Sequence, residues 1–319
     1  MRNFALIGAA GYIAPRHMKA IKETNNDLVA ALDPYDGIGI MDSYFPQASF
    51  FTEFERFDRF VDKWHRDGNK KIEYISITTP NYLHDAHIRF ALKSGADAIC
   101  EKPLVLNPHN LDQLKVIENE TGKKVNTILQ LRLHPSIIAL KKKISKELEQ
   151  NPDKIYDIDL TYLTSRGKWY FISWKGDESK SGGIASNIGV HFFDMLSWIF
   201  GEVEENIVHL KTPHTNAGFM KLKNANVKWF LSVNYDYIPE NIKQQGQTTF
   251  RSITVEGEEI EFSGGFKDLH TVSYEKILKG DGFGLDDAYS SINIVSQIRK
   301  LDPIGLKGDY HSFAKKVEG

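Results

Sequence analysis

A short apolar run that stops at a glycine-rich turn and opens into a helical pattern constrains this chain more than any other feature. Phe4-Ala5-Leu6-Ile7 ends at Gly8, and Gly8-Ala9-Ala10-Gly11-Tyr12-Ile13-Ala14 leads into the helix. The alternation then repeats. Asp27 to Asp33, Ile72 to Thr78 and Ala96 to Cys100 are apolar runs, and Asp85 to Lys93 between the last two has apolar residues at helical spacing. Buried strands alternating with helices of this size imply βαβ units and a mostly parallel sheet. Val125 to Gln130 reads as the last strand of that sheet.

The second half changes character. Ile155 to Leu163 alternates apolar and polar residues with period two, and Val227 to Val233, Thr249 to Val255 and Glu259 to Phe262 look similar. The pattern predicts an antiparallel sheet with one face in water. A helix over Ile184 to Phe200, preceded by Ser181-Gly182-Gly183, interrupts it. A last helix near Asp286 to Lys300 is expected to return to the first domain. The fold class is therefore α/β: a doubly wound parallel-sheet domain over 1–125, then an α+β domain over 126–319 with a mostly antiparallel open sheet.

The turn at Gly8 and Gly11 also carries chemistry. Glycine allows close backbone approach, and a helix N-terminus directs unpaired N–H groups and partial positive charge at an anion such as a pyrophosphate. The spacing departs from Gly-x-Gly-x-x-Gly by one extra residue, and Ala14 stands at the third position. Asp33 closes the second run. A carboxylate there accepts hydrogen bonds from ribose hydroxyls and repels a 2′-phosphate, which favours NAD over NADP.

Composition excludes several classes. The chain has 319 residues, is 41% hydrophobic and 26% charged, and has a formal net charge of -2, so nothing pulls it toward nucleic acid or a membrane. Its single cysteine, Cys100, rules out an intramolecular disulfide and a cysteine-based zinc site, and reads as a buried strand thiol. His84 and His87 are three apart on a helical pattern, but no further ligand set accompanies them, so no metal is expected. No apolar run approaches a membrane span, no signal pattern opens the chain, and a cytoplasmic location is the expectation. Lys141-Lys142-Lys143 reads as a solvated helix face.

Two further motifs carry reactive groups. Glu101-Lys102-Pro103 follows the run ending at Cys100. Proline stops the strand, and ligands of open α/β sheets bind at that carboxyl edge, so Lys102 is placed to steady an alkoxide. Asn187 and His191 are four apart on the second-domain helix, which predicts that they share a face, with Asp194 close to the same stripe. Imidazole is a natural base for a hydroxyl proton near neutral pH.

Thr79-Pro80-Asn81-Tyr82-Leu83-His84, Glu101-Lys102-Pro103 and Gly182 to Asp194 resemble, in order and spacing, the glucose–fructose oxidoreductase / inositol dehydrogenase (Gfo/Idh/MocA) family. The resemblance implies an NAD-binding Rossmann domain and a dehydrogenase, with Lys102 and His191 beside the nicotinamide and the reacting carbinol. It also implies cofactor contacts from Gly8, Gly11, Tyr12, Ile13, Asp33, Thr79, Asn81, His84, Glu101 and Lys102. Many members have Asp where this chain has Asn187, so the resemblance does not carry a proton relay through that position.

Ser165 to Tyr170, Ser173 to Gly176 and the Asn187 helix look like one subgroup, the UDP-N-acetylglucosaminuronate 3-dehydrogenases of bacterial polysaccharide (O-antigen) biosynthesis. That likeness implies oxidation of the sugar C3 hydroxyl to a 3-keto sugar. It implies substrate contacts from Arg166, Lys168, Trp169, Tyr170, Lys175, Asn187 and His191, 2-oxoglutarate as hydride acceptor in some members, and a homotetramer. Arg166, Lys168 and Lys175 suit a diphosphate and a carboxylate, and Trp169, Tyr170 and Trp174 offer flat faces to a sugar or base. Two rival readings stay open: a dehydrogenase of another sugar or an inositol, and an NAD-binding sensor without turnover. Which of Lys102 and His191 is the base also stays open.

Overall fold

The computed structural model describes residues 1–67, 71–260 and 268–317. In chain order the elements are β1 (Asn3–Ile7), α1 (Ala14–Glu23), β2 (Asp27–Leu32), β3 (Ser49–Phe51), α2 (Phe54–Arg66), β4 (Tyr74–Ile77), α3 (His84–Lys93), β5 (Asp97–Cys100), α4 (Pro108–Thr121) and β6 (Val125–Thr127). Then come α5 (Pro135–Gln150), β7 (Tyr156–Thr164), the one-turn helices α6 (Trp169–Ile172) and α7 (Glu178–Ser181), a π-helical segment Ala185–Gly189, and α8 (Val190–Phe200). They are followed by β8 (Val203–Lys211), β9 (Thr215–Leu222), β10 (Ala225–Ser232), α9 (Glu240–Lys243), β11 (Thr249–Val255), β12 (Glu258–Glu259), α10 (Leu269–Leu278) and α11 (Leu285–Lys300).

The chain divides into two compact units: Met1–Gln130 with Lys267–Tyr289, and Leu131–Phe266 with Ser290–Gly319. In the first, six strands run in the order β3-β2-β1-β4-β5-β6 and every pair is parallel. The order reverses at β1, where β2 lies on one side and β4 on the other. The carboxyl ends of β1 and β4 therefore form the crevice in which doubly wound sheets bind ligands. Phe4, Leu6, Ala31 and Ile99 of the sheet share one core with Ala14, Met18 and Ile21 of α1 and Tyr274 and Ile277 of α10. Cys100 is a buried free thiol, as the run around it predicts.

Three expectations for this unit are corrected. The last strand stops at Thr127 rather than Gln130, and Gln130–Leu133 forms a 3-10 turn instead. The boundary falls after Gln130, not after residue 125. The segment that returns to the first unit carries α10, whereas most of the last helix, α11, belongs to the second unit. Packing decides this: α10 lies along α1, and the backbone N–H of Thr127 donates to the carbonyl of Phe283 at 2.8 Å.

The second unit holds a sheet in the order β12-β11-β7-β10-β9-β8. It is mostly antiparallel, but its central pair, β7 and β10, is parallel. One face packs on α5, α8 and α11 through Tyr156, Leu160, Phe193, Trp229 and Ile294. The other face is not uniformly wet. Asp157 and Asp159 are exposed, but Leu163 and Phe230 lie under Ile238, Tyr310, Phe313 and Ala314. Strands β8 and β9 have no counterpart in the sequence reading. Of the predicted strand Glu259 to Phe262, only Glu259 falls within β12, and residues 261–262 lie outside the described residues. Lys141 leaves the solvated face assigned to its lysine run: its ammonium donates to the Trp198 carbonyl and sits 4.4 Å from the Trp198 ring centroid.

Candidate active site

The first unit brings its predicted residues together at the carboxyl edge of its sheet. Gly8 has φ +97°, and a Cβ there would lie 2.8 Å from the Thr78 carbonyl carbon and the Thr79 nitrogen. Only glycine tolerates both conditions. The Gly8 carbonyl accepts from Gly11 N–H at 3.1 Å and from Thr78 Oγ1 at 2.8 Å, which closes the turn. A Cβ at Gly11 would lie 3.1 Å from the Gly8 oxygen. Helix α1 then starts after Ile13 without a side-chain cap, so its N-terminal dipole is not offset by a carboxylate or hydroxyl of its own. Tyr12 stands out at the tip, 90% exposed.

Asp33 is buried and braces this turn. Its Oδ2 accepts from Ala10 N–H and its Oδ1 from Tyr35 N–H, both at 2.9 Å. A carboxylate has more acceptor positions than these two bonds use, so lone pairs remain for further hydroxyl or N–H donors.

Thr79 and Asn81 lie in the loop after β4, and His84 opens α3 at its end. His84 is buried with Nε2 2.8 Å from the Thr79 carbonyl and Nδ1 2.8 Å from the Pro103 carbonyl. It thus ties this loop to the Glu101-Lys102-Pro103 turn. Burial holds its pKa below the ordinary imidazole value, against the pull of those two carbonyls. His87 pairs with Thr79 Oγ1 at 3.0 Å, and burial lowers its pKa to about 4. The two histidines predicted as a poor metal pair are thus both engaged by the protein's own groups.

Glu101 is buried, and its carboxylate is held from within the unit. His17 Nε2 and His270 Nε2 both face Oε1, at 3.0 and 2.8 Å, and Lys102 N–H donates to Oε2 at 3.2 Å. Burial opposes the charge, but the bonds from the two histidines outweigh it and keep the carboxyl well below its usual range. Among the described residues these three are the His/Cys/Asp/Glu group whose ligand atoms cluster closely enough for a metal ion. Their separations are those of N–H···O bonds. Sequence reading missed His17 and His270, because nothing local marks either as a partner of Glu101.

The second unit carries the other set. His191 lies in the first turn of α8 and is partly exposed; Asn187 lies in the π-helical segment before it. With i→i+5 bonding, a four-residue spacing no longer guarantees one face, so the shared-face argument for Asn187 and His191 needs correction. Single π turns recur at functional sites. Gly189 admits the segment to the sheet: a Cβ there would lie 2.5 Å from Leu231 Cδ1.

Asn187 Nδ2 donates to the Tyr170 hydroxyl at 2.7 Å. Tyr170 is 1% exposed, which corrects the expectation that its ring is a free face for a sugar. Burial pushes its phenol pKa up, so it stays protonated. Trp169 remains 55% exposed and Lys168 is exposed beside it. Lys175 sits over the Trp174 ring at 4.1 Å, and Arg166 donates to the Ser165 carbonyl at 3.0 Å. Asp194 does not join the Asn187 stripe: it is buried against Arg132, with bonds of 2.8 and 3.0 Å to Nη2 and Nε. Arg132 was missed; a lone basic residue in the apolar stretch Ile128 to Leu133 was the available signal.

The NAD-binding Rossmann-fold domain of the Gfo/Idh/MocA oxidoreductase family matches residues 2–128, and that family's C-terminal alpha/beta domain matches 153–238. The chain belongs to the Gfo/Idh/MocA oxidoreductase family. Its structure is similar to the WlbA (WbpB) dehydrogenase of Thermus thermophilus in complex with NAD and UDP-GlcNAcA. Identity is 50%, the TM-score is 0.93, and 98% of this chain and 100% of that one are covered. The same Thermus protein with NAD and alpha-ketoglutarate gives 51% identity and a TM-score of 0.92, over 96% and 97% of the two chains. The WlbA dehydrogenase of Bordetella pertussis shares the fold at 19% identity and a TM-score of 0.74, over 97% and 99%. The chain spans about half the length of the first curated relatives it matches.

Proposed function

We propose that the protein oxidises the C3 hydroxyl of UDP-N-acetylglucosaminuronic acid (UDP-GlcNAcA) to the 3-keto sugar with NAD. The observation that carries this reading is the full-length match, at 50% identity, to a dehydrogenase whose complex holds NAD and that sugar nucleotide. The cradle fits the cofactor. Gly8 leaves the space a Cβ would fill, α1 has no side-chain cap, and Asp33 stands against the turn. Gly8, Gly11, Tyr12 and Ile13 would hold the pyrophosphate, Asp33 the adenosine ribose, and Thr79, Asn81, His84, Glu101 and Lys102 the nicotinamide end. When bound, NAD supplies the electrophilic carbon that takes a hydride.

The protein's own groups handle the proton. His191 takes it from the sugar hydroxyl, and the Lys102 ammonium stabilises the developing alkoxide. The balance is alcohol plus NAD⁺ to ketone plus NADH plus the proton on the base. A desolvated lysine is also a competent base, so the two roles are exchangeable in principle and kinetics assigns them. Arg166, Lys168 and Lys175 bind the diphosphate and the uronate carboxylate. Trp169 offers the flat face, and Asn187, braced by Tyr170, orients the sugar. NADH returns its hydride to 2-oxoglutarate, a reading supported by the alpha-ketoglutarate complex of the Thermus relative. A homotetramer working in the cytoplasm, in surface-polysaccharide (O-antigen) synthesis, completes the proposal.

The test is steady-state oxidation of UDP-GlcNAcA, followed by NADH absorbance and by 2-hydroxyglutarate formation. Arg166→Ala should weaken UDP-GlcNAcA by about 10–100-fold, as expected for loss of a charge-assisted pair of ~1.5–3 kcal/mol. It should leave NAD affinity unchanged. UDP-N-acetylglucosamine should suffer much less if the carboxylate is the partner. Wild-type protein that binds neither sugar nucleotide but oxidises a free polyol would overturn the substrate assignment.

A further inference from the structure

Glu101 poses an electrostatic problem that the proposed chemistry does not use. Its carboxylate is buried at the end of β5, immediately before Lys102, and two histidines face its Oε1. They come from α1 and α10, the second being the helix that returns to this unit late in the chain. A neutral imidazole has one N–H, so His17 bonds Glu101 only if its proton is on Nε2. Something must therefore supply a proton to Nδ1.

Tyr274 does. Its hydroxyl lies 2.7 Å from His17 Nδ1 and 2.6 Å from Ser76 Oγ. The ring is fully buried, and burial raises the phenol far above its ordinary pKa, so it keeps its proton. Burial also lowers the pKa of His17, against the pull of Glu101 and with the help of His270 and Arg16. The proton order then has one consistent arrangement. Ser76 donates to the Tyr274 oxygen, Tyr274 donates to His17 Nδ1, and His17 Nε2–H donates to Glu101. The carboxylate in turn accepts from the backbone of Lys102.

We propose that Tyr274, His17 and His270 are positioning residues: they lock Glu101 as a carboxylate, and through it fix the backbone and electrostatic setting of Lys102. The proposal rests on Lys102 acting in hydride transfer. The groups that face or sense the carboxylate are His17 and Arg16 from α1, His270 and Tyr274 from α10, Cys100 and Lys102 from its own strand and turn, and His84 from α3. Without the Tyr274 hydroxyl the buried Nδ1 lone pair loses this donor, the Nε2–H form is held less firmly, and the His17–Glu101 bond weakens. Glu101 then binds a proton more readily, and the site loses a negative charge at low pH.

The experiment compares wild type with Tyr274→Phe by two readouts. Side-chain ¹⁵N NMR of the NAD complex needs no sugar. Wild-type His17 should be neutral, with its proton on Nε2, at about pH 6.5, the ordinary imidazole pKa. In Tyr274→Phe the Nδ1 resonance should report the loss of its hydrogen bond, with the Nε2–H form less firmly held. Single-turnover oxidation of UDP-GlcNAcA should then show an acid limb moved up by about one pH unit, a roughly tenfold loss on that limb, with NAD affinity nearly unchanged. If Tyr274→Phe does not fold, His270→Leu should move the limb the same way, and His270→Gln, which keeps an N–H donor, should restore most of it. Wild-type His17 titrating at its ordinary pKa would overturn the proposal. So would variants that lower thermal stability while their pH–rate profiles superimpose on wild type. Wild type that fails to turn over UDP-GlcNAcA would instead defeat the function reading, leaving the tautomer measurement to judge the network.

Discussion

Replacing Arg132 with Met should destabilise the second unit more than any surface change. The pair it breaks is two-pronged, at 2.8 and 3.0 Å, and both side chains are nearly sealed, with relative exposures of 6% and 2%. The substitution leaves the Asp194 carboxylate charged and without this partner in a low-dielectric setting. Removing one member of a buried pair costs about 3–5 kcal/mol. For a domain of this size, each kcal/mol moves the midpoint by roughly 2–4 °C, so a fall of about 10 °C is expected. Arg132 also lies 5.7 Å from the Trp198 ring centroid, so some of the loss is packing. The double variant Arg132→Met/Asp194→Leu should recover most of the stability, because replacing both charges with apolar groups is often neutral. Thermal unfolding of wild type, both singles and the double gives the coupling energy. A single variant losing less than about 1 kcal/mol, or a double no better than the worse single, would refute the argument. The double has a second use. Asp194 follows His191 on α8, so a stable double variant with slowed hydride transfer would show that the pair orients the helix as well as holding it.

Three further outcomes are expected. Asp33→Ser should weaken NAD by about tenfold and narrow its advantage over NADP, by loss of hydrogen bonds to ribose and of repulsion toward a 2′-phosphate; equal affinity of unmodified protein for both cofactors would sink the assignment. His191→Asn and Lys102→Met should each slow single-turnover hydride transfer by about 10²–10⁴-fold with NAD affinity nearly intact, and the variant that flattens the acid pH–rate limb identifies the base. His311 should make stability fall in acid: burial lowers its pKa to about 4, Nδ1 accepts from Phe313 N–H, and Nε2 meets Thr161 Oγ1. The unfolded chain binds the proton first, so this stability is complete above about pH 6.5 and is lost as pH falls toward 4. The drop is roughly 2–3 kcal/mol, and denaturant melts of wild type and His311→Gln should show a flatter slope in the variant.

What the sequence showed and what it hid divide along a physical line. Period-two and helical patterns are local, so β1, β2, β5, β7, β10, β11 and α3 were legible to within a residue or two. So was the turn at Gly8, whose glycine is demanded by a positive φ. Contacts between distant segments were not legible. His17 meets Tyr274 across 257 positions, and no spacing rule connects them. The π-helical segment was hidden for the same reason: it depends on Gly189 lying against Leu231 of β10, a tertiary contact.

Asn187 shows how far each kind of reading reaches. From the motif alone, the amide replaces an ionisable residue, and only the loss of a charge can be argued. In the fold, its Nδ2 donates to the hydroxyl of Tyr170, a phenol kept protonated by burial. An aspartate at this position would have no N–H to give, so the bond could form only with Tyr170 as donor. The amide therefore reverses the bond and turns the phenol oxygen into an acceptor, which frees the phenol proton for another partner. A change that reads as a missing proton carrier is, in this chain, a fixed donor that braces the helix leading to His191. Under the proposed function, the proton chemistry at the sugar then falls to His191 and Lys102, the two groups whose variants the kinetics separates.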